Sequence, residues 1–223
     1  MSTTSGATGS QPSATGDANI FNKWSRKFSA VTGIGITEEE RLRELEIHQN
    51  SVCNRWKKEL MNYSPAVVFM LKRLEQAGCP VAPKHLSCQP CSYNRSGGFV
   101  PSAGIIILCQ GRFWSKTHME HTIVHELVHM YDQCIFKVDW NNLRHHACSE
   151  IRANSLSGDC RWTRELRRGF FSFTKQHQTC VRRRAVLSVA ANPACPDIET
   201  AEKAVNEVWD SCFADTRPFD EVY

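Results

Sequence analysis

The sequence predicts an α+β fold, mainly helical, with a small β-sheet preceding the helix that carries His125-Glu-Leu-Val-His129. Three observations predict it. Capping signals followed by long helical texture flank both ends of the chain. Residues 81 to 110 change character to short β-prone runs punctuated by Gly97-Gly98, Pro101 and Gly104. The stretch from Thr117 to Asp132 then returns to a buried helical pattern with Ile123, Val124, Leu127, Val128 and Tyr131 as its apolar residues.

Residues 1–20 are polar, dominated by Ser, Thr, Gly and Ala, and read as a disordered tail; residues 21–223 are expected to form a single folded domain. Thr37-Glu-Glu-Glu40 is a capping box that opens a charged surface helix reaching about Leu60. Ser64-Pro65 opens a second helix, with Pro at its first position, and Gly78 closes it ahead of Pro80. A small sheet follows and ends in Gly104-Ile-Ile-Ile-Leu-Cys109. Thr117-His-Met-Glu120 reads as a second capping box, opening the motif helix. Helical texture returns over residues 142 to 157, stopping near Gly158, then over 163 to 191 and 197 to 213.

On a helix, positions i and i+4 lie one above the other, so His125 and His129 present their imidazoles to one point. Glu126 lies beside them, able to reach water held there without itself ligating. That arrangement is why H-E-x-x-H reads as one catalytic Zn2+ with a general base. His118 and His121 extend the histidine series back along the helix and are expected to be exposed or locally hydrogen-bonded. A catalytic zinc takes three protein ligands. The metzincin continuation needs Gly at position 132 and His at 135, where the chain has Asp132 and Ile135, so the third ligand must lie farther on.

Glu150, opening Glu-Ile-Arg-Ala-Asn154, resembles the glutamate on the second helix of gluzincins such as thermolysin. Asn154 would then orient a histidine. His145 and His146 are rival ligands, and His146, four residues before Glu150, shares its face, so one of the pair can ligate while the other positions it. Asp132 is a remoter alternative. If an extended peptide is the substrate, residues 105 to 109 are the strand to pair with it, and the equal alternative is that they form an interior core strand.

The net charge of +4 is too small to argue for nucleic acid, and none is expected as a partner. The excess is concentrated between Arg161 and Arg184, which reads as a solvated helix face in preference to a docking surface for anionic lipid or an acidic partner. Eleven cysteines spread over the folded region suggest an oxidising compartment, against the alternative of a reduced chain with buried thiols. Because the number is odd, at least one is free or pairs outside the chain. Cys88-x-x-Cys91 is expected to serve structural disulfides. The first residues show neither a secretory signal nor an arginine-rich presequence, and no apolar run approaches the roughly 20 residues a bilayer demands.

His125-Glu-Leu-Val-His129 together with the block from Phe136 to Trp162 resembles the mitochondrial inner-membrane metalloprotease and ATP synthase assembly factor family, whose animal members have been called Ku-binding proteins. The resemblance runs from about residue 37 to the C-terminus. It implies a zinc endopeptidase of the mitochondrial intermembrane space, peripheral on the inner membrane. Such a protein removes the N-terminal extension of the ATP synthase subunit 6 precursor and, separately, assists assembly of the membrane sector alongside other assembly factors. It implies import by oxidative trapping of cysteines, and it places metal binding on His125 and His129 and catalysis on Glu126; Glu150 as third ligand comes from the reading above. Two other readings are an assembly chaperone whose role does not need cleavage and a nuclear zinc protease acting on DNA-bound proteins.

Overall fold

The computed structural model describes residues 24, 37–92, 95–161, 169 and 175–220, which fall into two compact units, residues 1–48 and 49–223. In the first, Thr37 begins helix α1 (Glu38–Tyr63) through the expected capping box: its Oγ1 accepts from the Glu40 amide at 3.2 Å, and the Glu40 carboxylate accepts from the Thr37 amide at 3.0 Å. Residues 38–48 of this helix are exposed throughout.

The second unit holds the rest of α1, then α2 (Pro65–Gln76), a 3₁₀ turn (Pro83–His85), strands β1 (Leu86–Gln89), β2 (Gly97–Val100) and β3 (Ile105–Cys109), and helices α3 (Lys116–Phe136), α4 (Leu143–Leu156), α5 (Gln176–Ala190) and α6 (Ile198–Ala214). The expected helix over 163 to 191 is seen from Gln176 onward; residues 162–168 and 170–174 lie outside the described residues. Ser64 caps α2, its hydroxyl accepting from the Val67 amide. The cap of α3 differs from expectation. Ser115, two residues before Thr117, accepts from the His118 amide, and Glu120 is taken up by the Ser64 hydroxyl. Both serine and threonine stood at capping spacing, and the tertiary bond to Glu120 removed the carboxylate the second box required.

The sheet has the order β1-β3-β2, with β1 parallel and β2 antiparallel to β3. Strand β3 is therefore bonded on both sides and cannot accept a substrate strand, which leaves the interior-strand alternative for residues 105 to 109. Among the described residues the outer strands are β1 and β2. Strand β2 approaches α3 so closely that a Cβ at Gly97 would stand 2.8 Å from the Ile107 carbonyl oxygen and 2.9 Å from Thr122 Cγ2. Only glycine permits this approach, and it brings the edge strand against Glu126.

Two apolar cores flank the α3–α4 pair. The first gathers Val67, Met70 and Leu74 of α2, Ile106 and Leu108 of β3, and Met119, Ile123 and Leu127 of α3. The second gathers Ala147 and Ile151 of α4, Val181 and Val189 of α5, and Val205 and Trp209 of α6. Each fully buried Val, Leu, Ile or Met side chain contributes about 1.5–3 kcal/mol, so the two cores fix α3 and α4 face to face and leave their shared polar side chains between them.

Five disulfides tie the elements: Cys53–Cys88, Cys79–Cys134, Cys91–Cys109, Cys148–Cys212 and Cys160–Cys180, with Cys195 free. Cys88 and Cys91 both serve disulfides, each with a partner elsewhere in the chain. Among the described residues no helix is long and apolar enough to cross a membrane.

Candidate metal centre

The i, i+4 spacing on α3 brings His125 Nε2 and His129 Nε2 to 3.1 Å from one another. Across from them, α4 presents Glu150, whose Oε1 lies 3.5 Å from His129 Nε2 and whose Oε2 lies 3.7 Å from His125 Nε2. One ligand atom from each of His125, His129 and Glu150 falls within 4.8 Å of the others, and among the described residues no other group of three could hold a metal ion. Two imidazole nitrogens and one carboxylate are the donor set of a catalytic zinc with a position left for water.

The rivals separate by geometry. His145 Nδ1 accepts from the Asp139 amide and lies away from the cluster. His146 Nε2 is 3.5 Å from Glu150 Oε1, while its Nδ1 faces the Asn192 side-chain amide nitrogen at 2.9 Å. That amide is a donor, so Nδ1 accepts and the proton sits on Nε2, aimed at Glu150. His146 thus supports the carboxylate. His118 stacks under Trp114 at 3.4 Å and faces the Ser96 hydroxyl, and neither it nor the buried His121 joins the cluster.

Asn154 does not orient a histidine. Its Nδ2 donates to Glu150 Oε2 at 3.0 Å, because a residue one turn on from Glu150 on the same helix lies over that side chain. The histidine support comes from Ser149 and Asp132. Ser149 Oγ donates to Asp132 Oδ2 at 2.8 Å and so receives His129 Nδ1–H at 2.8 Å, which aims Nε2 at the cluster. Asp132 is held in turn by Arg152, whose Nη2 is 3.0 Å from Asp132 Oδ1 and whose Nη1 reaches Asp215; Arg152 and Asp132 are each 2% exposed. His125 Nδ1 has no hydrogen-bond partner among the described residues.

This buried pair is expected to matter for stability. Asp132→Asn leaves the Arg152 charge short of one partner, while Asp215 and two backbone carbonyls remain to it. A loss of about 3 kcal/mol is expected, the low end for breaking a buried ion pair. Denaturant unfolding of the oxidised protein checks it, and an unchanged midpoint would refute the assignment.

Burial sets the electrostatics. It pushes Glu126 up to about 7, against the opposing pull of His129 and the Phe99 amide. Burial, helped by the charge of His129, pushes His125 down to about 4. Burial also disfavours charge on His129, but Glu150, Glu126 and Asp132 outweigh it and raise that group to about 9. Glu150, despite its own burial, is held well below the usual carboxylate range by His129, His146 and His125. The cluster therefore holds a stable buried carboxylate that demands positive charge beside it, as a cation site must.

The cluster opens into a cavity of about 1070 Å³ bounded on one side by Gly97, Gly98 and Phe99 of the β2 edge and on the other by Leu187, Ala191 and Pro193. Arg184, expected on a solvated face, lines this cavity as well, and Arg182 stacks over Trp209 at 4.1 Å; Arg164, Arg167 and Arg168 lie outside the described residues. Sequence reasoning missed Ser149, Asp159, Arg184 and Asn192, and only Ser149, adjacent to Glu150, carried a local signal.

The Peptidase M76 family model matches residues 51–220. This chain belongs to that family. Among its relatives, the protein named mitochondrial inner membrane protease ATP23 of Kluyveromyces lactis is 47% identical over 222 residues, covering 91% of this chain and 90% of its own. Those of the same name from Malassezia globosa and Schizosaccharomyces pombe are 52% and 51% identical, covering 76% and 77% of this chain and 76% and 92% of theirs. No solved structure gives a significant match. Membership in a peptidase family fits the motif helix, and the matched region contains every residue of the His125–His129–Glu150 cluster.

Proposed function

We propose that the chain is a zincin-like zinc metalloendopeptidase in which His125, His129 and Glu150 hold one catalytic Zn2+ and Glu126 is the general acid–base. The observation that carries this reading is the convergence of two imidazole Nε2 atoms and one carboxylate within 4.8 Å beside a buried glutamate. Zinc in such a site supplies Lewis acidity and lowers the pKa of water. With the ion held there, Glu126 would take a proton from water as the water oxygen bonds to the peptide carbonyl carbon, and would return that proton to the amine as the C–N bond breaks; burial, which raises its pKa, suits it to carry the proton between the two. The Phe99 amide, donating to Glu126, keeps the carboxylate turned toward the cavity. Strand β2 offers its outer edge to an extended peptide, and the Gly97 approach places that edge beside the base.

The family resemblance and the names of the relatives support placing the protein at the mitochondrial inner membrane, peripherally and on the intermembrane-space side. The five disulfides favour an oxidising compartment over a reducing nuclear one. The substrate on this reading is the N-terminal extension of the ATP synthase subunit 6 precursor, and the protein also assists, with other assembly factors, in building the membrane sector. The test is cleavage of a synthetic peptide spanning the extension junction by purified oxidised protein. One cut that disappears with chelator and returns with zinc is expected; no cleavage, or cleavage indifferent to chelator, overturns the proposal.

A further inference from the structure

The support of Glu150 extends beyond its own helix by way of Asn154. Arg184 of α5 donates from Nε to Asn154 Oδ1 at 2.6 Å and from Nη2 to Asp159 Oδ2 at 2.9 Å. Asn154 is 1% exposed and donates from Nδ2 both to the Glu150 carboxylate at 3.0 Å and to the Glu150 carbonyl oxygen at 2.8 Å. The two buried acceptors on Glu150 select the NH₂ of Asn154, since its oxygen turned to them would be repelled. Arg184 selects the same orientation from the other side, because a guanidinium has donors only and takes the Asn154 oxygen. With Arg184 in place the amide is held at both ends against Glu150. Without Arg184 its oxygen loses that partner and the side chain is freer to swing off the carboxylate.

The covalent frame delivers the parts of this clamp. Asp159 precedes Cys160, Arg184 lies one helical turn after Cys180, and the Cys160–Cys180 disulfide joins the two. Resting on the metal-site reading above, we infer that Arg184, locked by Asp159 and stapled in place by Cys160–Cys180, is a positioning residue that fixes the third ligand, Glu150, by holding Asn154 against it.

The test measures zinc affinity by competition with a chromogenic chelator, for wild type, Arg184→Met, Asn154→Ala and the double variant, alongside Arg184→Lys. Each single non-conservative change is expected to weaken zinc binding about 10–100-fold, the usual cost of removing a partner of a ligand. The double variant should be no weaker than the worse single one, since both break one chain of bonds; independent effects would multiply. Lysine, also a pure donor, should restore most of the affinity, which a role in packing alone would not produce. Wild-type affinity in Arg184→Met, or multiplying effects in the double variant, would overturn the inference while leaving the metal site intact. A wild-type protein that takes up no zinc would overturn the metal-site reading itself.

Discussion

Replacing Glu126 with glutamine is expected to lower kcat for peptide cleavage by about 10²–10⁴-fold, the usual contribution of a positioned acid–base group. The substitution changes little else. Glutamine matches the shape of glutamate, and its side-chain carbonyl can still accept from the Phe99 amide that the carboxylate now uses. Burial already disfavours the ionised form of this group, so a neutral side chain in its place should leave folding intact. Zinc content should stay at one per chain because Glu126 stands outside the ligand cluster. Cleavage retained near wild-type level would assign the base elsewhere. The same variant divides the two biological roles: if subunit 6 keeps its extension yet the ATP synthase membrane sector still assembles, assembly does not depend on proteolysis.

The candidate metal cluster was more legible in the sequence than its surroundings, for a physical reason. His125, Glu126 and His129 are neighbours along one helix, so a period of 3.6 residues places them without any knowledge of the fold. Glu150 could be named as a candidate because a four-coordinate catalytic zinc takes a third protein donor and the metzincin spacing fails at Asp132 and Ile135. The supports of these ligands are another matter. Ser149 meets His129 at a separation of 20 residues, and Arg184 meets Asn154 at 30, and no periodicity spans the loops between them. Arg184 lies in a run of arginines that reads as one solvated face; only the packing of α5 on α4 and the Cys160–Cys180 staple tell it apart from Arg182.

The sheet shows the same limit. Apolar content marked residues 105 to 109 as a strand, but whether a strand is central or at the edge depends on the order β1-β3-β2, which arises from a crossover and is not written in any one segment. Strand β3 proved to be the interior strand, while Gly97, the residue that lets the outer strand β2 approach Glu126, read as ordinary turn punctuation.

Glu150→Ala is expected to lose zinc affinity by more than the roughly 10–100-fold that removal of a ligand's partner costs, and cleavage with it, while His146→Ala stays within that range. The difference follows from where each group points. Glu150 offers Oε1 toward His129 and Oε2 toward His125, so its removal deletes one of three donors and with it the negative charge that draws a cation into a buried site. His146 spends Nδ1 on Asn192 and directs its Nε2 proton at Glu150, which leaves no lone pair for a metal. Its loss frees one oxygen of the carboxylate without removing the donor. Glu150→Gln should fall between them, keeping an oxygen and losing the charge. Metal content after dialysis against a graded chelator series separates the three variants. If Glu150→Ala keeps wild-type affinity while His146→Ala loses it, the third ligand is His146 through Nε2, and its ring proton must then sit on Nδ1 with the Asn192 side chain turned to accept it.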